Sequence, residues 1–213
     1  SDEAGSRAVG IICLIGFLMG VIIAFETALV AQIFGAVIFV VNGIGIAMTR
    51  ELGPLMTAIL FAGRSGSAFA AQLGTQKVNE ELNALTTFGL SPMYFLVVPR
   101  LIASSLVVPL LSVFATILGI LGGGLVMAMY DITYTQFYVQ LLKSVTVTDI
   151  VFGLVKAVIF GFVIALIGCQ CGMNTGAGAA AVGSSTTKSV VKSIIWIVVI
   201  DGAAALLTNR LGI

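Results

Sequence analysis

The chain has 213 residues, of which 59% are apolar and only 9% are charged. Soluble domains carry about 25% charged residues, so this composition excludes a soluble globular enzyme, which could not cover its surface in water. A membrane-spanning helix needs roughly 20 apolar residues, so five spans would use about half of the chain. The sequence therefore predicts an all-α membrane domain with short loops.

The first apolar run predicts a membrane span over about 9–31. Gly16 and Gly20 within this run have the spacing that lets two membrane helices approach closely. The polar residues before the run lack the pattern of a cleavable signal. The sequence begins with Ser1 and not with Met, so we expect a trimmed N-terminus.

The next apolar run is interrupted by the pair Arg50 and Glu51. The pieces on either side have about 16 and 12 residues, whereas a span needs 17–25, so two full spans do not fit. We expect a short non-spanning segment near 34–44 and a second span over about 47–72. Pro54 suits the first turns of that span, because a missing N–H costs least there.

The polar stretch that follows predicts a short amphipathic helix over about 74–88, with a glycine at each end. Its apolar stripe consists of Val78, Leu82, Leu85 and Phe88. Its polar side carries Lys77, Glu80 and Glu81. Such a helix either lies on lipid headgroups or docks into the groove of a partner, and its low basicity favours a protein partner slightly.

The second half of the chain predicts three more spans, over about 101–129, 150–169 and 190–208. Four glycines in the first of these favour close packing against another helix. The polar stretch 130–149 carries tyrosines typical of a membrane interface. The stretch 172–187 has neither charge nor an apolar stripe, so we assign it no chemistry.

The distribution of Lys and Arg predicts the orientation of the five spans. One side receives Arg7, Arg64, Lys77, Arg100, Lys188 and Lys192. The other side receives Arg50, Lys143 and Arg210. We therefore expect the N-terminus and the 74–88 segment in the cytoplasm and the C-terminus outside.

Several kinds of chemistry are excluded by what the sequence lacks. There is no histidine and there are three cysteines, so neither a His-based metal site nor a disulfide framework can form. Cys169 and Cys171 are more typical of free thiols than of metal ligands. There is no P-loop, so if ATP drives this protein, another subunit hydrolyses it.

Five short motifs occur together between residues 50 and 100. They are Arg-Glu-Leu-Gly-Pro at 50–54, Ala-Gly-Arg-Ser-Gly-Ser-Ala at 62–68, Leu-Gly-Thr at 73–75, Asn-Ala-Leu at 83–85 and Val-Pro-Arg at 98–100. This combination resembles the MlaE/YrbE family of ABC-transporter permeases, which move lipids, chiefly phospholipids, between bacterial membranes. The resemblance covers the chain from about residue 9.

The resemblance implies a five-span permease that forms a homodimer in the bacterial inner membrane and maintains outer-membrane lipid asymmetry or its equivalent. It implies that the 74–88 helix couples the permease to a cytoplasmic ABC ATPase, which holds the ATP and Mg²⁺, so this chain needs no cofactor. It also implies an MCE-domain protein on the outer side, in some systems a STAS-domain protein, and no nucleic acid. Family members usually begin with an amphipathic helix before the first span, which we expect this chain to lack.

Charged side chains inside membrane spans are costly, so each one is a functional candidate. Glu51 is interpreted either as a polar wall of a lipid pocket at the dimer interface or as half of an ion pair, with Arg50 or with a charge on another span. Lys156 and Asp201 are expected at overlapping depths, which favours a structural pair over lipid contact. Glu26 either faces a cavity or marks a different headgroup preference.

The apolar wall of the lipid pocket is expected to come from the first, second and fifth spans. The candidates are Phe17, Phe25, Leu52, Leu55 and Leu60. Two other functions remain open. An ion-coupled secondary transporter would use Glu51, Lys156 and Asp201 as a relay, and a membrane scaffold would anchor an MCE ring without transporting anything.

Overall fold

A computed structural model describes residues 2–211, with the side chains of residues 9–208 and 210. Every regular element of this part of the chain is helical, and five helical stretches are long and apolar enough to cross a membrane. The predicted all-α, five-span fold is thus confirmed. The α-helices are α1 Asp2–Ile33, α2 Val40–Ile46, α3 Gly53–Phe61, α4 Ser67–Val78, α5 Glu81–Thr87, α6 Val98–Ala128, α7 Tyr134–Ser144, α8 Val147–Met173 and α9 Ala179–Leu211.

The second span is one helical stretch from Val37 to Val78. A π-helical segment, Ala47–Leu52, joins α2 to α3, and a second one, Ala62–Gly66, joins α3 to α4. The segment predicted near 34–44 is thus largely helical and continuous with the second span. Because 42 residues exceed the roughly 17–25 that one span needs, its non-spanning position stays a prediction. Arg50 and Glu51 do not end the helix, because a π turn re-aims their side chains within a continuous helix and both find charged partners on α8.

The chain forms two compact units. The first unit contains Ser1–Thr57 and Pro109–Lys156, and the second contains Ala58–Val108 and Ala157–Ile213. Each unit has its own buried apolar clusters.

In the first unit, α1 packs directly on α6 through glycines. A Cβ on Gly16 would lie 2.6 Å from the carbonyl oxygen of Ala115, and one on Gly20 would lie 1.8 Å from that of Gly119. These distances are too short for any side chain, so the two helix backbones are in contact. This confirms the close approach predicted from the glycine spacing in the first span and from the glycines of the third.

The first unit also contains α7, a helix within the stretch predicted as a polar connection. The helix begins at a capping box, in which Thr133 and Gln136 satisfy each other's backbone N–H groups. Phe137 is buried in the core of the unit, and Gln140 donates a hydrogen bond of 2.9 Å to Asn42. The helix α7 is too short to span a membrane, and its contacts through Phe137 and Gln140 hold it against the first unit instead.

In the second unit, the predicted single helix over 74–88 is wrong. Gly74 lies inside α4 and is buried, because a Cβ there would come within 2.8 Å of the Thr175 hydroxyl. After α4 ends, Glu80 adopts a left-handed conformation with φ of 61°, which breaks the helix before α5 begins. The side-chain amide of Asn83 donates to the Glu80 carboxylate and supports this turn.

The last helix, α9, begins at Ala179, well before the predicted start at 190. Its early turns are held by small polar side chains. The hydroxyl of Ser185 lies 2.9 Å from that of Thr175, and Ser189 donates a 3.2 Å hydrogen bond to the carbonyl of Gly66. Small hydroxyl residues pack between membrane helices without an apolar stripe, which is why hydropathy missed these turns.

Candidate functional site

Four charged side chains meet inside the first unit. Lys156 forms an ion pair with Glu51, and Arg50 Nη1 lies 3.3 Å from Asp149 Oδ1. We call these four residues the charged cluster. Two of them come from the π segment Ala47–Leu52 and two from α8, so the cluster joins the second and fourth membrane spans.

The sequence of α8 places its contribution on one helix face. Asp149, Phe152 and Lys156 follow one another at i, i+3 and i+7. The Phe152 ring lies beneath both cations, with its centroid 5.2 Å from Arg50 Cζ and 5.4 Å from Lys156 Nζ. Cation–π attraction at these distances adds to both ion pairs.

A glycine allows α8 to come this close. A Cβ on Gly153 would lie 2.2 Å from the carbonyl oxygen of Thr49, so no larger residue fits there. The contact between the backbones of Gly153 and Thr49 brings α8 close to the π segment Ala47–Leu52. At this distance the two ion pairs can form between them.

Asp149 has a second role at the start of α8. Its carboxylate accepts hydrogen bonds from the backbone N–H of Thr146 at 3.0 Å and from the Thr146 hydroxyl at 2.6 Å. The backbone N–H of Asp149 in turn donates to the Thr146 hydroxyl at 3.4 Å, which completes the reciprocal pattern of a helix-capping box. Sequence reasoning missed Asp149, although the spacing Thr-x-x-Asp directly before an apolar run would have indicated it.

Exposure distinguishes the two members of the Lys156–Glu51 pair. The Lys156 side chain is 2% exposed, whereas that of Glu51 is 31% exposed. Lys156 is therefore enclosed by protein, and Glu51 can still be reached by another molecule. The predicted pairing of Lys156 with Asp201, which is half-buried in α9, stays a prediction.

A cavity of about 290 Å³ lies in the same unit. Thr49 and Gly153, the two residues in backbone contact, belong to its wall. The rest of the lining is mostly apolar and comes from Pro54, Ser112, Val113, Thr116, Ile117, Ile120, Leu141, Leu142, Val145, Ile150 and Leu154.

The hydroxyl groups in the cavity wall are already satisfied. Thr49 donates to the carbonyl of Gly45 at 2.7 Å, Ser112 to that of Pro109 at 2.8 Å and Thr116 to that of Met48 at 3.2 Å. Since these protons are already donated to the backbone, the wall offers a ligand no free hydroxyl proton. With its mostly apolar lining, the cavity is suited to an aliphatic chain.

The residues predicted to line a lipid pocket do not line this cavity. Leu52 packs against the core of the first unit, Phe25 is exposed, and the remaining apolar candidates are half-buried. These half-buried candidates are Phe17, Leu55 and Leu60. Glu26 is exposed on α1. Their place in a pocket at a dimer interface stays a prediction.

The residues predicted to contact an ATPase are separated by the break at Glu80. Leu82 is buried in the second unit, whereas Phe88 is 80% exposed. Val78 and Leu85 are half-buried, and Glu80 and Glu81 are exposed. The break therefore separates Val78 from the rest of the expected stripe, within which Leu82 is an anchoring residue and Phe88 faces outward.

Sequence comparison with known proteins identifies the class of protein to which the chain belongs. Residues 1–207 match the family model described as Permease MlaE. A probable ABC transporter permease protein of Rickettsia typhi is 34% identical over 197 residues, which is 92% of this chain and 76% of the relative. One from Synechocystis is 36% identical over 92% of this chain and 75% of the relative.

A more distant organism contributes a further relative. The chloroplastic protein TRIGALACTOSYLDIACYLGLYCEROL 1 of Arabidopsis thaliana is 33% identical over 94% of this chain and 57% of the relative. Together with the five spans, these matches define a multi-pass membrane permease of the ABC-transporter class. The chain belongs to the MlaE permease family.

Proposed function

We propose that this permease carries an amphipathic lipid, of the phospholipid class, from the inner membrane of a bacterium, driven by ATP hydrolysis on a partner subunit. The observation that carries the proposal is the apolar cavity beside the charged cluster. Thr49 in the cavity wall directly precedes Arg50, and Gly153 directly follows Phe152. Room for an aliphatic chain next to fixed charges is what an amphipathic cargo needs.

The exposure and hydrogen bonding of the side chains indicate which region binds the acyl chain and which binds the headgroup. The cavity receives an acyl chain, because its hydroxyl groups already donate to backbone carbonyls. The accessible part of Glu51 contacts the headgroup, and Lys156 holds the Glu51 carboxylate in place. The name of the Arabidopsis relative contains a glycolipid, which supports a lipid cargo. In the proposed assembly two copies form a homodimer under an MCE-domain protein.

The lipid proposal can be tested by filling the cavity from its edge. Val113 lines the cavity and is 39% exposed, so Val113→Trp adds bulk without replacing a fully buried side chain. We expect the purified permease with its ATPase to retain severalfold less phospholipid, measured by mass spectrometry, and to lose lipid transport in vesicles. Leu110→Trp is the matched control, because Leu110 is exposed on the same helix and lies outside the cavity wall.

Equal lipid retention and transport in the two variants would contradict the cavity as the acyl-chain site. Lipid movement under an ion gradient without the ATPase would instead establish a secondary transporter. Normal assembly with an MCE protein but no lipid movement by the unaltered permease would establish a scaffold.

The contact with the ATPase is proposed to form around α5. Exposed apolar side chains directly follow this helix, before the third span begins at Met93, which is unusual for a connection facing water. They are Phe88 and Leu90. With the predicted orientation this surface faces the cytoplasm, where a nucleotide-hydrolysing subunit would bind.

Phe88→Asp tests this contact. A substitution of Leu82 would test it less well, because Leu82 is buried and its replacement would disturb the fold. We expect Phe88→Asp to abolish stable co-purification of the ATPase while membrane insertion is kept. Tyr134→Asp, at an exposed aromatic residue that begins α7, is the control and should leave the complex intact. Unchanged co-purification of Phe88→Asp would refute the contact.

A further inference from the structure

A small polar pocket lies in the second unit, where α8 ends and α9 begins. Its volume is about 210 Å³. Gln170 and Asn174 stand one helical turn apart on the α8 side, and Lys188 and Lys192 stand one turn apart on α9. Ser185 lies on the same face of α9 as the two lysines, at i, i+3 and i+7.

The chemistry of the pocket is that of an anion receptor. No carboxylate belongs to its wall, and among the described residues no acidic side chain forms an ion pair with Lys188 or Lys192. Ammonium groups are donors only, and the side-chain amides of Gln170 and Asn174 each carry two N–H donors. Two positive charges surrounded by neutral donors favour a group with several negatively charged oxygens.

The wall of the pocket is held in place by hydrogen bonds behind it. Thr175 donates to the carbonyl of Cys171 at 3.2 Å and lies 2.9 Å from the hydroxyl of Ser185. Ser189, next to Lys188, donates to the carbonyl of Gly66. The backbone that carries the lysines is therefore anchored, and only their flexible side chains must be ordered when an anion binds.

The position of the pocket indicates where the anion comes from. Both α8 and α9 are long and apolar enough to cross a membrane, and only the short connection 174–178 separates them. The pocket beside this connection therefore lies near a membrane surface, at the depth of lipid phosphates. Gln170 and Asn174 mark the end of α8, and Lys188 and Lys192, about two and a half and three and a half turns into α9, can extend their long side chains toward that region.

We propose that Gln170, Asn174, Ser185, Lys188 and Lys192 form a binding site for the phosphate group of an anionic membrane lipid. The site is separate from the cavity of the first unit and does not depend on which cargo the permease carries. It also assigns chemistry to Asn174 and Ser185, which lie in a stretch where the sequence pattern predicts none.

The test is native mass spectrometry of the full chain in detergent, titrated with phosphatidylglycerol or with phosphatidylcholine. We expect preferential retention of phosphatidylglycerol. The double variant Lys188→Gln/Lys192→Gln should bind it about 30-fold more weakly, since each lysine near a membrane surface contributes about 1 kcal/mol. The control is Lys143→Gln/Arg210→Gln, which removes two positive charges outside the pocket and should leave the retention unchanged.

Competition by inorganic phosphate and direct binding of inorganic phosphate show whether the site takes a lipid headgroup or a free phosphate ion. Inorganic phosphate at the concentrations used for lipid should not displace phosphatidylglycerol. If phosphate binds with the same dependence on the two lysines while the lipid does not, the headgroup assignment is overturned. It is also overturned if the lysine variant retains phosphatidylglycerol normally, or if it loses only the co-purification of a partner protein.

Discussion

Two helix–helix contacts in the first unit both depend on a glycine, but they differ in the side chains around that glycine. Where α1 meets α6, a Cβ on Gly20 would lie 1.8 Å from the Gly119 carbonyl oxygen; where α8 meets the π segment Ala47–Leu52, one on Gly153 would lie 2.2 Å from that of Thr49. Both pairs of backbones are in direct contact. Only the second contact is accompanied by charges.

The difference shows what each contact supplies. Glycine packing gains dispersion energy over a long helix face, and it is governed by shape. In the charged cluster each side chain needs one particular partner, because a charge enclosed in the membrane without one is strongly unfavourable. The first contact therefore holds helices together, and the second also determines which residues meet.

The largest expected effect comes from breaking the charged contact on one side. Glu51→Gln removes the carboxylate that faces the buried ammonium of Lys156. We expect the free energy of unfolding to fall by about 3–5 kcal/mol, the usual cost of removing one partner of a buried pair. Reversible unfolding of the purified permease in mixed micelles measures this loss.

Two further variants show whether the loss comes from the pair. Glu26→Gln removes a carboxylate that is exposed on α1 and should cost less than about 0.5 kcal/mol. The double variant Glu51→Leu/Lys156→Leu should recover most of the stability, because neither member of this pair is then left as a charge without the other. A double variant as unstable as Glu51→Gln would contradict this account.

A smaller effect is expected from breaking the glycine contact. Gly20→Ala places a methyl group against the backbone of α6, and such overpacking typically costs about 1–3 kcal/mol. Gly10→Ala is the control on the same helix, because a Cβ at Gly10 meets nothing within 4 Å. The same unfolding measurement should show no loss for Gly10→Ala, since alanine favours the helix. Equal effects at the two positions would exclude steric contact as the cause.

The two contacts also differ in how far they could be predicted. The spacing of Gly16 and Gly20 predicts a close helix contact, because glycine spacing is a local property of one helix. The sequence likewise marks Glu51 and Lys156 as costly charges inside spans. It leaves the partner of Glu51 open between Arg50 and a charge on another span, because only packing selects between them.

Local signals were also overruled by packing. Glycine at position 74 is typical of a helix end, but Gly74 lies inside α4, where its lack of a side chain admits Thr175. The amphipathic pattern over 74–88 is real, yet the left-handed Glu80 divides it. The helix α7 went unpredicted because its 11 residues are too few to give a membrane signal.

Hydropathy and motif spacing by themselves determined the class of this protein: five membrane spans, charges confined to a few positions within them, and membership in a permease family. The spans and the placement of charges follow from the cost of placing polar groups in lipid, which acts residue by residue, whereas the family follows from the resemblance of the motifs between residues 50 and 100. Only the tertiary structure decided that Lys156 meets Glu51, that Asp149 both caps α8 and pairs with Arg50, and that Lys188 and Lys192 share a pocket with Asn174. Partner choice is decided there because it depends on which helix faces pack together, and that is a property of the whole fold.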